Sequence, residues 1–195
     1  MESDFWFYTK LGLSHVLDFA AYDHMLFLCA LVIPFTLKMW KQAVLLASLF
    51  AIAHCVSLAL AAFDIIRMDS DLIEFLIPVT IFLTAVFNSL TANSLTFSLG
   101  LYLQALTATF FGLIHGFGFS NYFNMILAQE SEKLEPLIGF AIGIELAQLI
   151  IILFVLMFSH FFVSVFAKAK DNYVFIASAI IALVTIPMLI RTFPL

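Results

Sequence analysis

Six long apolar stretches, parted by short charged clusters, decide what this chain can fold into. They run over about 11–34, 41–63, 71–90, 97–119, 136–160 and 172–190. Each matches the roughly 20 mostly apolar residues that a helix needs to cross the hydrocarbon core of a bilayer. The clusters Lys38–Lys41, Asp64–Asp71, Glu130–Glu135 and Lys168–Asp171 read as the loops between them. The expectation is an all-α fold, a polytopic transmembrane bundle of about six helices that forms one domain over residues 1–195.

Composition supports lipid as the solvent. Apolar residues make up 64% of the chain, against about 45–50% in soluble domains, more than one aqueous core can hide. The start, Met1-Glu2-Ser3-Asp4-Phe5-Trp6, lacks the basic opening and small-residue cleavage site of a signal peptide, so the first apolar run is expected to be a mature helix. Cys29 and Cys55 both fall inside expected helices, where cysteine serves as a small apolar side chain, and no disulfide is expected. With a net charge of −5 and few basic residues, nothing supports nucleic-acid binding.

Small residues recur every four positions at Ala108, Gly112 and Gly116 in the fourth stretch and at Gly139, Gly143 and Ala147 in the fifth, which lets neighbouring backbones approach closely. Glu145 and Gln148 form a polar strip on another side of the fifth helix. Both sides must face protein, so that helix is expected at the centre, and the sixth, uncharged from Tyr173 to Ile190, at the edge. Basic residues do not set the orientation: Lys38, Lys41, Lys168 and Lys170 lie on one side, and Lys10, Arg67, Lys133 and Arg191 on the other. Most of the acids share the face of the termini, including Glu2, Asp4, Asp64, Asp69 and Glu130. The expectation is a multi-pass protein of a bacterial inner membrane with both termini outside.

Ionisable side chains within the apolar stretches point to function, since a charge at the bilayer centre costs at least ~2.5–3.5 kcal/mol. The first stretch has His15, Asp18, Asp23 and His24; His54, Glu74, His115 and Glu145 follow, one in each of the next four. With ~1.5 Å rise per residue and alternating helix direction, His15 and His115 lie roughly 6 Å, and His54 and Glu145 roughly 13 Å, from the ends on the terminal side. Asp23 and His24 fall near mid-depth, and Glu74 near the surface of the same leaflet. Clustering in one leaflet argues for one shared site.

Neutral imidazole with carboxylate suits a divalent transition metal such as zinc, nickel, iron, manganese or copper(II), with a partner on each histidine's second nitrogen. On one straight helix, His15 and Asp23 would stand about 80° apart and His24 nearly opposite His15, so a single helix cannot aim all of them at one ion. His54 and His115 lead the expected metal set, joined by His15 or His24 and by Asp23 or Glu145. Asp18, Glu74, Gln148 and Gln104 are expected in supporting or path-lining roles. Simpler readings compete: a lone intramembrane histidine is more often a packing residue, Asp18 can sit at the interface, and Glu74 can serve the free amides of a helix start. Asn88, Asn121 and Asn124 read as interhelical or helix-end hydrogen bonds, and the 24 phenylalanines as lipid-facing and packing residues.

Four segments, in order across nearly the whole chain, carry a family resemblance. They are His15-Val16-Leu17-Asp18-Phe19-Ala20-Ala21-Tyr22-Asp23-His24-Met25-Leu26-Phe27, His54-Cys55-Val56-Ser57-Leu58, Gly112-Leu113-Ile114-His115-Gly116-Phe117-Gly118-Phe119 and Gly143-Ile144-Glu145-Leu146-Ala147-Gln148-Leu149. The sequence resembles the HupE/UreJ family of hydrogenase and urease accessory membrane proteins, in particular its second branch. The region of Glu74, Pro78 and Thr80 is similar to the family's Glu-containing third helix. It departs from the family at Ala21, where glycine is usual. The resemblance implies a permease-like protein of nickel or cobalt supply, with His15, Asp23, His24, His54, His115 and Glu145 at the motif positions.

Two functions follow as expectations. The first is binding and transport of a divalent transition metal (nickel, zinc, cobalt or iron), in the lipid bilayer, with a homo-oligomeric or metalloenzyme-maturation partner. The second is an intramembrane metal-dependent hydrolase acting on a lipid or lipidated substrate, with Asp23 or Glu145 as general base. Polar residues leading on from the cluster separate the two, and Gln104, Thr107, Asn88 and Thr84 offer such a path.

Overall fold

The structure, a computed structural model, describes residues 4–92, 97–128, 130, 132–165 and 170–194. Glu2 and Lys168, used above in weighing orientation, lie outside them. The chain is helical: α1 (Asp4–Val16), α2 (Asp23–Val32), a 3-10 turn (Leu37–Met39), α3 (Trp40–Ala62), α4 (Ser70–Thr91), α5 (Phe97–Leu127), α6 (Leu134–Val165) and α7 (Lys170–Arg191). Four of these are long and apolar enough to cross a membrane: α3 with its preceding turn, α4, α6 and α7. At 31 residues α5 has the length as well, with Gln104 and His115 interrupting its apolar run.

The expected first helix over 11–34 is two helices instead. Between Val16 and Asp23 the backbone leaves the helical path, although that segment holds neither glycine nor proline. A side chain supplies the turn: Asp18 Oδ1 accepts the Ala20 N–H at 2.8 Å, a local bond that competes with the helical ladder. The next helix opens on a carboxylate, Asp23 Oδ1 accepting the His24 N–H at 2.8 Å, where an anion suits the positive end of the helix. Broken backbone of this kind is tolerated at membrane depth where protein or a cavity surrounds it.

Other boundaries also shift. Both α5 and α6 run past the expected bounds, ending at Leu127 and Val165 rather than near 119 and 160: α5 carries on through Ser120, Asn121 and Asn124, and α6 through the apolar Phe161, Phe162 and Val163. At the start of α4 the free amides are served by Asp69, which accepts the Leu72 N–H at 3.0 Å, and not by Glu74.

Two close helix pairs hold the bundle, and small residues make both. In the α1–α6 pair, a methyl on Gly139 would come 2.7 Å from the Phe5 carbonyl oxygen, and one on Gly143 would come 2.7 Å from the Leu13 nitrogen. In the α3–α5 pair, a methyl on Gly112 would come 2.9 Å from Ala53 Cβ, and one on Gly116 would strike the His54 carbonyl and the Ser57 hydroxyl. Between the pairs, α6 also meets α2 and α3 and takes the central position, while α7 packs chiefly on α4. Phe27, Phe50, Phe123 and Phe140 fill the fully buried core.

Candidate metal centre

The break in the first span builds the site. His15 ends α1 and His24 begins α2, and the turn between them folds their rings together, with centroids 4.5 Å apart. The expectation that His24 points away from His15 holds only for an unbroken helix and is corrected here. From α3, His54 completes the group: its Nε2 lies 3.4 Å from His24 Nε2. One ligand nitrogen from each of His15, His24 and His54 can be chosen so that all lie within 4.8 Å of one another. Two metal–nitrogen arms of about 2.0–2.1 Å at a tetrahedral angle set their nitrogens roughly 3.3 Å apart, so the His24–His54 contact, a hydrogen bond in this structure, has a spacing that two imidazoles on one ion could also take.

Hydrogen bonds assign the tautomers. Asp23 Oδ1 lies 3.1 Å from His24 Nδ1, which therefore carries the proton and leaves the Nε2 lone pair facing His54. A carboxylate behind a histidine is the arrangement that raises an imidazole's basicity toward a metal. His115, on α5, sits beside the group with its ring 5.2 Å from that of His24. Thr80 donates its hydroxyl hydrogen to the Ile77 carbonyl at 2.7 Å and lies 3.2 Å from His115 Nε2, so that nitrogen donates to Thr80 and His115 Nδ1 keeps a lone pair. Among the described residues, His15 Nε2, His54 Nδ1 and His115 Nδ1 have no hydrogen-bond partner despite full burial. Buried polar nitrogens without partners are costly; the His15, His24 and His54 donor set fits a divalent transition metal, while His54 Nδ1, behind the nitrogen that faces His24, lacks the partner a ligating imidazole usually has.

Aromatic side chains wall the cluster. Phe119 lies against His15 at 3.8 Å between centroids and stacks on Phe140 at 5.3 Å, while Phe50 lies 5.1 Å from His115. The open side is a cavity of about 890 Å³, lined by His15, Asp23, His24 and His115 within and by Asp18, Glu74 and Tyr122 toward its mouth. Carboxylates therefore stand toward the entrance and imidazoles toward the base.

Other expected residues fall elsewhere. Glu145 accepts from the Ser48 hydroxyl at 2.5 Å, on the α3–α6 contact, and lines none of the cavity. Gln148, one turn further on, is fully buried with neither amide atom partnered among the described residues. Gln104 lines a separate cavity. Asn88 bonds across helices to the Ala30 carbonyl, Asn121 to Ser70 and Asn124 to the Ala61 carbonyl. Sequence reasoning gave Thr80 no role of its own and could not select Phe119, Phe140 or Phe27 from so many phenylalanines, because their parts depend on which helix faces which.

Helices of membrane-crossing length, a first span broken at the edge of the cavity and a histidine cluster at the break define a multi-pass integral membrane protein with an internal polar site. The family model described as HupE / UreJ protein matches residues 1–192, essentially the whole chain, and the chain belongs to that family. No curated protein and no solved structure matches it.

Proposed function

We propose that this chain binds a divalent transition-metal ion inside the membrane and carries it across, as a permease of the nickel or cobalt type. The observation that carries the reading is the cluster of His15, His24 and His54, with ligand nitrogens within 4.8 Å, at the base of a cavity with acidic residues near its mouth. The ion enters past Glu74 and Asp18, exchanges water for the imidazoles, and is balanced by Asp23 behind His24. His115 supplies a further nitrogen. This matches the metal-supply role that family membership implies. An orientation with the termini outside, in a bacterial inner membrane, belongs to the same proposal, as does delivery to a metalloenzyme-maturation partner or work as a homo-oligomer.

Intramembrane hydrolysis has less support, because both carboxylates that would serve as general base are otherwise engaged: Asp23 with His24, and Glu145 with Ser48.

Elemental analysis of detergent-purified protein beside a His24→Ala, His54→Ala double variant tests binding, and uptake of nickel, cobalt or zinc into proteoliposomes tests transport. Near-stoichiometric metal in the parent, lost from a variant of unchanged helicity, with uptake that follows the bound ion, is the expected result. A parent that takes up none of nickel, cobalt, zinc or iron overturns the reading.

A further inference from the structure

A second cavity, of about 350 Å³, lies between α2, α4 and α5 and opens on the outer surface of the bundle. Leu83, Phe87, Leu90 and Leu103 border it, and all four are exposed, which in a membrane puts them against acyl chains. Nine of its thirteen described lining residues are apolar, with Phe27 and Phe111 at the inner end, so the lining is made for an apolar occupant. Three of the four polar ones are turned to backbone carbonyls: Thr84 donates to Thr80 at 2.8 Å, Thr107 to Leu103 at 2.9 Å and Asn88 to Ala30 at 2.6 Å. The fourth, Gln104, stands beside Leu103 nearer the start of α5, on the side from which the ester groups of a lipid would approach.

Size and surroundings choose among apolar occupants. From Leu103 to Phe111 the lining rises about 12 Å along α5, close to the ~15 Å depth of hydrocarbon in one leaflet. Spread over that length, 350 Å³ leaves roughly 30 Å² of cross-section, whereas a helix about 10 Å across needs about 80 Å². A neighbouring helix does not fit, and a single unbranched chain does. Water is a poor occupant, because it needs several polar partners and apolar cavities stay dry. Left empty, the cavity forfeits the dispersion contacts of its lining. Lipid at the mouth restores them without crossing water.

We propose that the cavity between α2, α4 and α5 holds one acyl chain of a bilayer phospholipid, taken from the leaflet opposite the start of α1. Lipid tails are as apolar as the leucines that border the mouth, so close packing holds the chain there and transfer from water does not. The site is separate from the metal reading and stands whether or not the protein passes an ion.

The test is quenching of tryptophan fluorescence by brominated acyl chains, which act at contact range. The full chain, with Trp6→Phe and Trp40→Phe, carries Phe111→Trp at the inner end of the cavity and is reconstituted in vesicles of phosphatidylcholine brominated at mid-chain. Thr107→Phe supplies a plug between mouth and reporter, at a residue whose hydroxyl bonds only within its own helix. The expected result is quenching at least twofold stronger without the plug than with it, at equal helicity. Thr107→Leu, a smaller plug, is expected to fall between the two, and it decides the matter where Thr107→Phe does not fold. Equal quenching with and without the plug means that the reporter meets only bulk lipid, and overturns the proposal. A reporter that is not quenched at all, in a folded chain, marks a cavity without a lipid chain and overturns it too.

Discussion

His24 Nε2 lies 3.4 Å from His54 Nε2, although the two residues belong to different helices and stand 30 positions apart. On the far side of the His24 ring the Asp23 carboxylate lies 3.1 Å from Nδ1 and holds the proton there, leaving the Nε2 lone pair toward His54.

Asp23→Asn tests that dependence. The amide keeps the size of the side chain and loses its charge, so His24 is less well oriented and a poorer donor. Metal affinity is expected to fall about 10–100-fold, with stoichiometry retained at saturation. Isothermal titration in detergent measures it, and an unchanged affinity would remove Asp23 from the site.

Thr80→Val keeps the shape of Thr80 and removes the acceptor of His115 Nε2–H. A buried donor is left unpaired, at a cost of about 1–3 kcal/mol. Thermal unfolding followed by circular dichroism is expected to show the loss, and Thr80→Ser to recover most of it.

Glycines separate close packing from open space. Gly116→Ala drives a methyl into the backbone of His54, whereas the same change at Gly100 meets nothing within 4 Å. The first is expected to lower both thermal stability and metal content. The second is expected to leave metal content alone and to stabilise α5 by about 0.5–1 kcal/mol, since glycine is a poor helix former. Equal effects at the two positions would contradict the α3–α5 packing.

Asp18 tests the break itself. Asp18→Ala removes the acceptor for the Ala20 N–H and lets the segment drift toward continuous helix, which turns His15 and His24 apart. Metal affinity is expected to drop for Asp18→Ala and to survive in Asp18→Asn, whose side-chain oxygen can make the same turn. Parallel titrations of the two variants decide the matter.

Much of this architecture is legible from the chain alone. Apolar length marks the spans, and the depth of His15, His54 and His115 along them gathers the histidines in one leaflet before any contact is known. The break is hidden because Leu17 to Tyr22 holds no residue that forbids a helix; one aspartate bonding two residues ahead diverts the backbone, and hydropathy does not register that. Depth along a helix also leaves azimuth open, and Glu145 bonds to Ser48. The roles of Thr80 and Phe27 arise only when three helices meet, since neither residue differs in type from many others that merely pack.

The docking of α1 on α6 sets an order on biogenesis. The first half-helix spans 13 residues, too few to cross the bilayer alone, and its groove-forming partner emerges from the ribosome only after α2, α3, α4 and α5 have been made. On that order His15 is expected to be the last nitrogen to reach the cluster, because the helix that carries it docks on α6.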